Sequence, residues 1–141
     1  MSEHTASPAL PTPIPYISPE TAPFWAAARE HRLVLPVCTE CETHIWYPKA
    51  FCSACGSMAV EWRDMSGLGT IYSFTQVHRG EGPYREVPSF VLALVDLDEG
   101  ARVLTNIVEA DPADLRIGQP VQVVFHEAGE AAALPRFKPA T

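Results

Sequence analysis

Apolar and polar positions along this chain follow two rhythms that change at Gly67. Before it, apolar residues come in short bursts. Phe24, Trp25 and Ala28 lie three and four residues apart, which places them on one broad helical face. The run AAARE has high helix propensity, Ser18 suits an N-cap and Pro19 a first helical position. Together they predict a helix within 17–32, ending near His31 and Arg32. So short a helix must dock, with Phe24 and Trp25 packed inside the protein or on another subunit. Residues 33–37 and 60–62 read as short strands, and Ile45, Trp46 and Tyr47 as a bulky cover between them.

After Gly67 the rhythm is that of strands. Gly67 and Gly69 mark a bend, and TIYSFTQVH then alternates, with Tyr72 and Phe74 on one face. SFVLALVDL has no strict polar face and predicts a strand covered on both sides. Asp98, Glu99 and Gly100 form a hairpin turn, and 102–109 the return strand. Asp111 caps a short helical turn begun by Pro112 and closed by Gly118. Val121, Val123 and Phe125 alternate on the next strand, with His126 facing outward. EAGEAAA is a loop, and 134–138 the last strand. Three meandering strands, a helical turn and two more strands are the plan of a five-stranded OB-type barrel, although other small barrels share it. The expected fold is mainly β: an N-terminal helix (17–32), a metal ribbon (33–65) and a barrel domain (66–141).

Residues 1–16 are set apart by Pro8, Pro11, Pro13 and Pro15, which bar helix and ladder alike. They form either a loose terminus or an extended arm on a partner, anchored by Ile14 and Tyr16. No run of 18 apolar residues exists, so no membrane span is expected. The formal net charge is −7, and both halves share the acidic excess. That balance argues against phosphate backbones as ligands.

The chemistry concentrates in CTECETHIWYPKAFCSAC. Cys38 with Cys41 and Cys52 with Cys55 form two C-x-x-C pairs separated by ten residues. Each pair makes a knuckle that points two thiolates at one place, and two knuckles make a tetrahedral four-sulfur cage suited to zinc. Iron fits four sulfurs as well. Gly56 stands where a knuckle needs a positive φ. Disulfides are disfavoured because no secretory signal opens the chain, which points to the cytoplasm. A closed cage leaves no position for substrate and so serves folding. His44 is an ordinary loop histidine beside a filled shell.

The stretches LVLPVCTEC, YPKAFCSACG, GLGTIYSFT, VDLDEG, DPADLRIGQPVQVVF and LPRFKP together resemble the family known as domain of unknown function 35. The resemblance runs from about Phe24 to Pro139. It implies a rubredoxin-like zinc ribbon joined to an OB fold. Relatives often have glycine after the helix, where this chain has REH. The resemblance further implies an accessory subunit that stabilises a thiolase-like or aldolase catalytic subunit, as a heterotetramer, and helps hold an acyl-CoA thioester. A hot-dog-fold hydratase is another implied partner.

The chain lacks a catalytic set of its own: every cysteine is assigned to metal, and G-x-S-x-G, H-E-x-x-H and phosphate-binding glycine motifs are missing. Asp96, Asp98 and Glu99 belong to a hairpin tip. His78 and Arg79, with Tyr84 and Arg85 in the following loop, are the candidates for contact with CoA or a partner, arginine gripping phosphate and tyrosine stacking. A solvated barrel rim accounts for them equally. Two alternatives are a stand-alone acyl-CoA enzyme and a single-strand nucleic-acid binder, with Tyr72, Phe74 and Arg102 stacking on bases and Arg79 and Arg85 as the other basic contacts. The scattered basic residues weigh against the second.

Overall fold

The computed structural model describes residues 10–140. Among the described residues the chain is mainly β, with one α-helix, a two-stranded ribbon carrying the four cysteines, and a closed barrel of five strands. Of the proline arm, residues 1–9 lie outside the described residues. Residues 10–16 have no regular secondary structure and lie against the barrel, where the Pro11 carbonyl accepts from Arg136 Nη2 at 2.6 Å.

The helix, α1 (Ala22–Arg29), starts later than the capping signals suggested. Ser18 closes a separate turn, donating from its amide to Thr21 Oγ1 and accepting from the Thr21 amide. Pro23 explains the shift. In a helix begun at Pro19 it would lack a needed N–H and clash with the preceding turn, whereas near the start of α1 it is tolerated. At the other end His31 takes the left-handed conformation (φ 62), and the amides of His31 and Arg32 return to Ala28 and Ala27 carbonyls. This is the closure usually given to glycine.

β1 (Val34–Cys38) pairs antiparallel with β2 (Val60–Asp64) to form the ribbon. Arg32 grips Asp64 through two bonds of 2.9 and 3.1 Å, tying the helix end to the ribbon and holding the Asp64 carboxyl below its usual range. The barrel comprises β3 (Leu68–Val77), β4 (Phe90–Leu97), β5 (Arg102–Ile107), β6 (Pro120–Ala128) and β7 (Ala132–Pro139). Its closed order, β3-β4-β5-β7-β6, is the OB arrangement. Gly69 lets β3 cross β4 closely: a Cβ there would lie 2.5 Å from the Asp96 carbonyl oxygen.

Three expectations from patterning are corrected. β4 is covered on one side only: Val91, Ala93, Val95 and Leu97 point inward, while Leu92 is exposed. A register shift between Ile71 and Ser73 breaks the alternation of β3, leaving Tyr72 exposed and Phe74 packed on the core. The expected EAGEAAA loop is a turn at Gly129, and Ala132 and Ala133 are buried in β7.

One hydrophobic core runs through helix, ribbon and barrel, uniting Phe24, Trp25, Leu35 and Val37 with Ile71, Val95, Val121 and Phe137. Phe24 and Trp25 are therefore spent inside the chain and are not anchors for another subunit. Phe24 meets the rings of Trp25 and Trp46 edge-on, with centroids at 4.8 and 5.6 Å. β5 and β7 pair at Ile107 and Phe137, and Leu33 and Trp46 line a small cavity beside that seam with Val103, Thr105 and Pro135. The helix packs on β7 beside it.

Candidate metal centre

The two C-x-x-C pairs build two knuckles with one hydrogen-bond pattern. In the first, the Cys38 carbonyl accepts from Glu42 N at 2.8 Å and the Cys38 amide donates to Thr43 O at 2.9 Å. In the second, the Cys52 carbonyl accepts from Gly56 N at 2.7 Å and the Cys52 amide donates to Ser57 O at 2.9 Å. Each knuckle ends in a left-handed residue, Glu42 (φ 63) and Gly56 (φ 81). Glycine marked the second position in the sequence, and nothing marked the first. A Cβ on Gly56 would meet no atom within 4 Å, so only backbone strain opposes Gly56→Ala. That change is expected to cost about 1–2 kcal/mol in denaturant unfolding of the metal-loaded protein.

All four Sγ atoms lie within 4.8 Å of one another. Cys38 and Cys55 Sγ are 3.6 Å apart, and Cys41 and Cys52 Sγ 3.7 Å. A tetrahedron with metal–sulfur bonds of about 2.3 Å has edges of about 3.8 Å, so the donors fit a single zinc-sized ion. The separations are far beyond a sulfur–sulfur bond, and all four cysteines are free. Thr43 Oγ1 lies 3.0 Å from Cys41 Sγ, and this hydroxyl, with the Thr43 amide, draws the Cys41 thiol below its usual range. The Cys55 and Ala54 amides do the same for Cys52. The Ser57 amide draws Cys55 down too, but the crowding sulfurs of Cys38 and Cys41, with burial, push it up to about 12. Four thiolates cannot accumulate at one point without a cation, and a divalent ion would supply that charge. Cys38, Cys52 and Ile45 form the small buried cluster beneath, with Val60 against it.

The other expected contacts do not assemble into one site. His78, Arg79 and Arg85 are exposed on the rim loop after β3, while Tyr84 turns inward. The Tyr84 hydroxyl accepts from Arg136 Nη2 at 2.9 Å and its ring packs on Phe90. His126, expected outward, is half-buried with its Nδ1 3.0 Å from Arg136 Nη1. Sequence reading missed Arg136, which is 2 % exposed. Its only signal was a basic residue amid LPRFKP. Arg102 lies over the Tyr72 ring at 3.5 Å and is paired with Asp96 at 2.6 Å, so its charge is already answered. A groove of about 340 Å³ between α1 and the ribbon is lined by Ala26, Ala27, Trp62, Glu30, Arg32 and Asp64, among others. None of the rim-loop candidates reaches it.

Comparisons with known proteins follow the same division. Residues 25–61 match the family described as the ChsH2 rubredoxin-like zinc ribbon domain, and 62–126 the ChsH2 C-terminal OB-fold domain. Over 130 residues the chain is 30% identical to a "DUF35 domain-containing scaffold protein" of Methanothermobacter thermautotrophicus, covering 86% of this chain and 98% of that one. The chain belongs to the DUF35 family. This DUF35 protein is also 38% identical over 128 residues to a "Probable enoyl-CoA hydratase alpha subunit" of Thermomonospora curvata. The match takes 91% of this chain but only 40% of that relative, so the chain spans about two fifths of its length. A 3-oxo-4,17-pregnadiene-20-carboxyl-CoA hydratase alpha subunit of Mycobacterium tuberculosis is 34% identical, with 79% of this chain and 35% of that protein covered. Among solved structures, one titled "Ltp2-ChsH2(DUF35) aldolase" superposes with a TM-score of 0.79 at 36% identity, covering 90% of this chain and 99% of that one. A DUF35 protein of unknown function from Sulfolobus solfataricus shares the fold at 13% identity and a TM-score of 0.63.

Proposed function

We propose that this DUF35 protein is a non-catalytic accessory subunit of an enzyme that acts on acyl-CoA thioesters. The likeness to the chain of the Ltp2-ChsH2(DUF35) aldolase carries the reading, because it covers nearly all of that chain. On this reading the catalytic partner is an aldolase or a thiolase-like enzyme cleaving or forming a C–C bond, joined as a heterotetramer. A hydratase is the second partner class, since two relatives are named as hydratase alpha subunits.

Cys38, Cys41, Cys52 and Cys55 hold one zinc ion, whose part is to fold the ribbon. Iron is the alternative occupant that metal analysis separates from it. Four unpaired cysteines committed to a metal suit the cytoplasm, and no described helix is long and apolar enough to cross a membrane. Catalytic acids, bases and nucleophiles come from the partner. Among the described residues of this chain the sulfurs converge on one point, and the rim groups His78, Arg79 and Arg85 stand apart in solvent. The barrel supports the partner's site and helps hold the thioester away from water, where exclusion strengthens local electrostatics.

The test is to assay this chain, its partner and the mixture against a panel of acyl-CoA thioesters. The chain alone is expected to show no turnover, and its addition to raise the partner's rate. Turnover by the isolated chain, lost on His78→Ala with the metal retained, would replace this reading with that of a stand-alone enzyme.

A further inference from the structure

Arg136 on β7 is a buried guanidinium with neutral neighbours. Its Nη2 donates to the Pro11 carbonyl at 2.6 Å and the Tyr84 hydroxyl at 2.9 Å, and its Nη1 faces His126 Nδ1 at 3.0 Å. Among the described residues, no carboxylate lies within ion-pair distance of it. The group joins three parts: residues 10–16, the rim loop and the paired strands β6 and β7. We propose that Arg136 and His126 form a pH-sensitive latch, which straps residues 10–16 to the barrel while His126 is neutral and frees them when it is protonated.

The geometry dictates the sign. Arginine only donates and keeps its proton at any physiological pH, so His126 Nδ1 must offer a lone pair and carry its hydrogen on Nε2. A second proton turns that acceptor into a donor aimed at a donor, and sets two cations 3.0 Å apart in a half-buried place. The guanidinium is one rigid plane, so a shift that relieves Nη1 also disturbs the Nη2 bond to Pro11. The strap's root is packed: Ile17 lies against the main core, and Ile14 rests on Gly129 so closely that an added Cβ would be crowded at 3.2 Å from Ile14 Cδ1. Ahead of that root the prolines offer no N–H, so the Arg136 bond to the Pro11 carbonyl is the contact the latch controls. Ile14 and Tyr16 already stand 74 % and 84 % exposed in the latched state, so release changes their mobility and not their exposure.

Four groups bear on His126. Burial and the Arg136 charge push its pKa below the ordinary value, while Glu109, after β5, pulls it up. Glu109 is itself engaged by Lys138 at 3.7 Å. Tyr84, from the rim loop, shares Arg136 as a neutral phenol. A histidine depressed in the latched state stabilises the latch fully above its free value of about 6.5, and loses that contribution as pH falls through the latched value. Between the two values the ratio of freed to latched strap rises by up to about tenfold per pH unit.

Nitrogen-15 relaxation of the full-length, metal-loaded chain reads the strap directly. At about pH 7.5 the Thr12 and Ile14 amides are expected to have order parameters near ~0.85, falling toward or below ~0.6 at about pH 5 as the nuclear Overhauser contact between Ile14 and Gly129 fades. His126→Gln keeps an acceptor for Arg136 but cannot titrate, so its strap should stay ordered at both pH values. Arg136→Met should free the strap at both. A wild-type strap equally ordered at the two pH values, or a fall that persists in His126→Gln, would overturn the latch.

Discussion

Cys52→Ser is expected to empty the metal site and melt the ribbon. Cys52 is wholly buried, and the cluster around it contains little beyond Cys38, Ile45 and Val60. So small a nucleus cannot offset the conformational entropy of ordering residues 39–59, all of which lie outside the two ribbon strands. A structural four-thiolate zinc site supplies about 10–16 kcal/mol of apparent binding energy at neutral pH, and that energy is folding energy. The variant should fall from about one equivalent of metal per chain to below half. Its near-ultraviolet dichroism should lose the signal of Trp46, which lies in the ribbon and packs against the main core. His44→Ala, outside the sulfur cluster, should keep its full equivalent. Acid should strip the metal from wild type as the thiolates take protons. A Cys52→Ser protein retaining a full equivalent and a cooperative transition would refute the four-thiolate account.

Phe24→Ala carries the second large effect. The ring is 1 % exposed and touches the helix, the ribbon's Trp46 and the shared core. Truncation should cost about 3–5 kcal/mol through lost burial and a residual cavity. In a domain of this size that is about 10–20 °C in melting temperature, measured on the isolated, metal-loaded chain. This result separates two roles for the residue. A partner-facing Phe24 would leave the isolated chain within about 0.5 kcal/mol of wild type and weaken only the complex. The buried packing predicts loss in the isolated chain first.

Much of this was legible in the sequence because local chemistry dictated it. The paired cysteines sit in knuckles whose spacing is intrinsic to C-x-x-C, and the hairpin at Asp98, Glu99 and Gly100 turns where its residues require. Capping was less legible, because two prolines competed for the helix start and the contact of Pro23 with its own turn decided the matter. His31 and Glu42 take left-handed conformations that usually announce themselves as glycine. Long-range facts left the weakest trace. The bulge in β3 moved Tyr72 away from Phe74, and nothing near Arg136 in sequence foretold that Pro11, Tyr84 and His126 would gather around it. The aromatic pair Phe24 and Trp25 left two placements open for the same reason. A short chain has room for few buried rings, and only the packing of three elements into one core showed where these two go.

The accessory-subunit account is tested most directly by co-expressing this chain with its catalytic partner and weighing the product by size exclusion with light scattering. The account predicts one complex containing both chains, stable at about micromolar concentration, a regime in which specific interfaces bury ~1,200–2,000 Å². Separate elution of the two chains at that concentration, with the metal retained in this one, would contradict it.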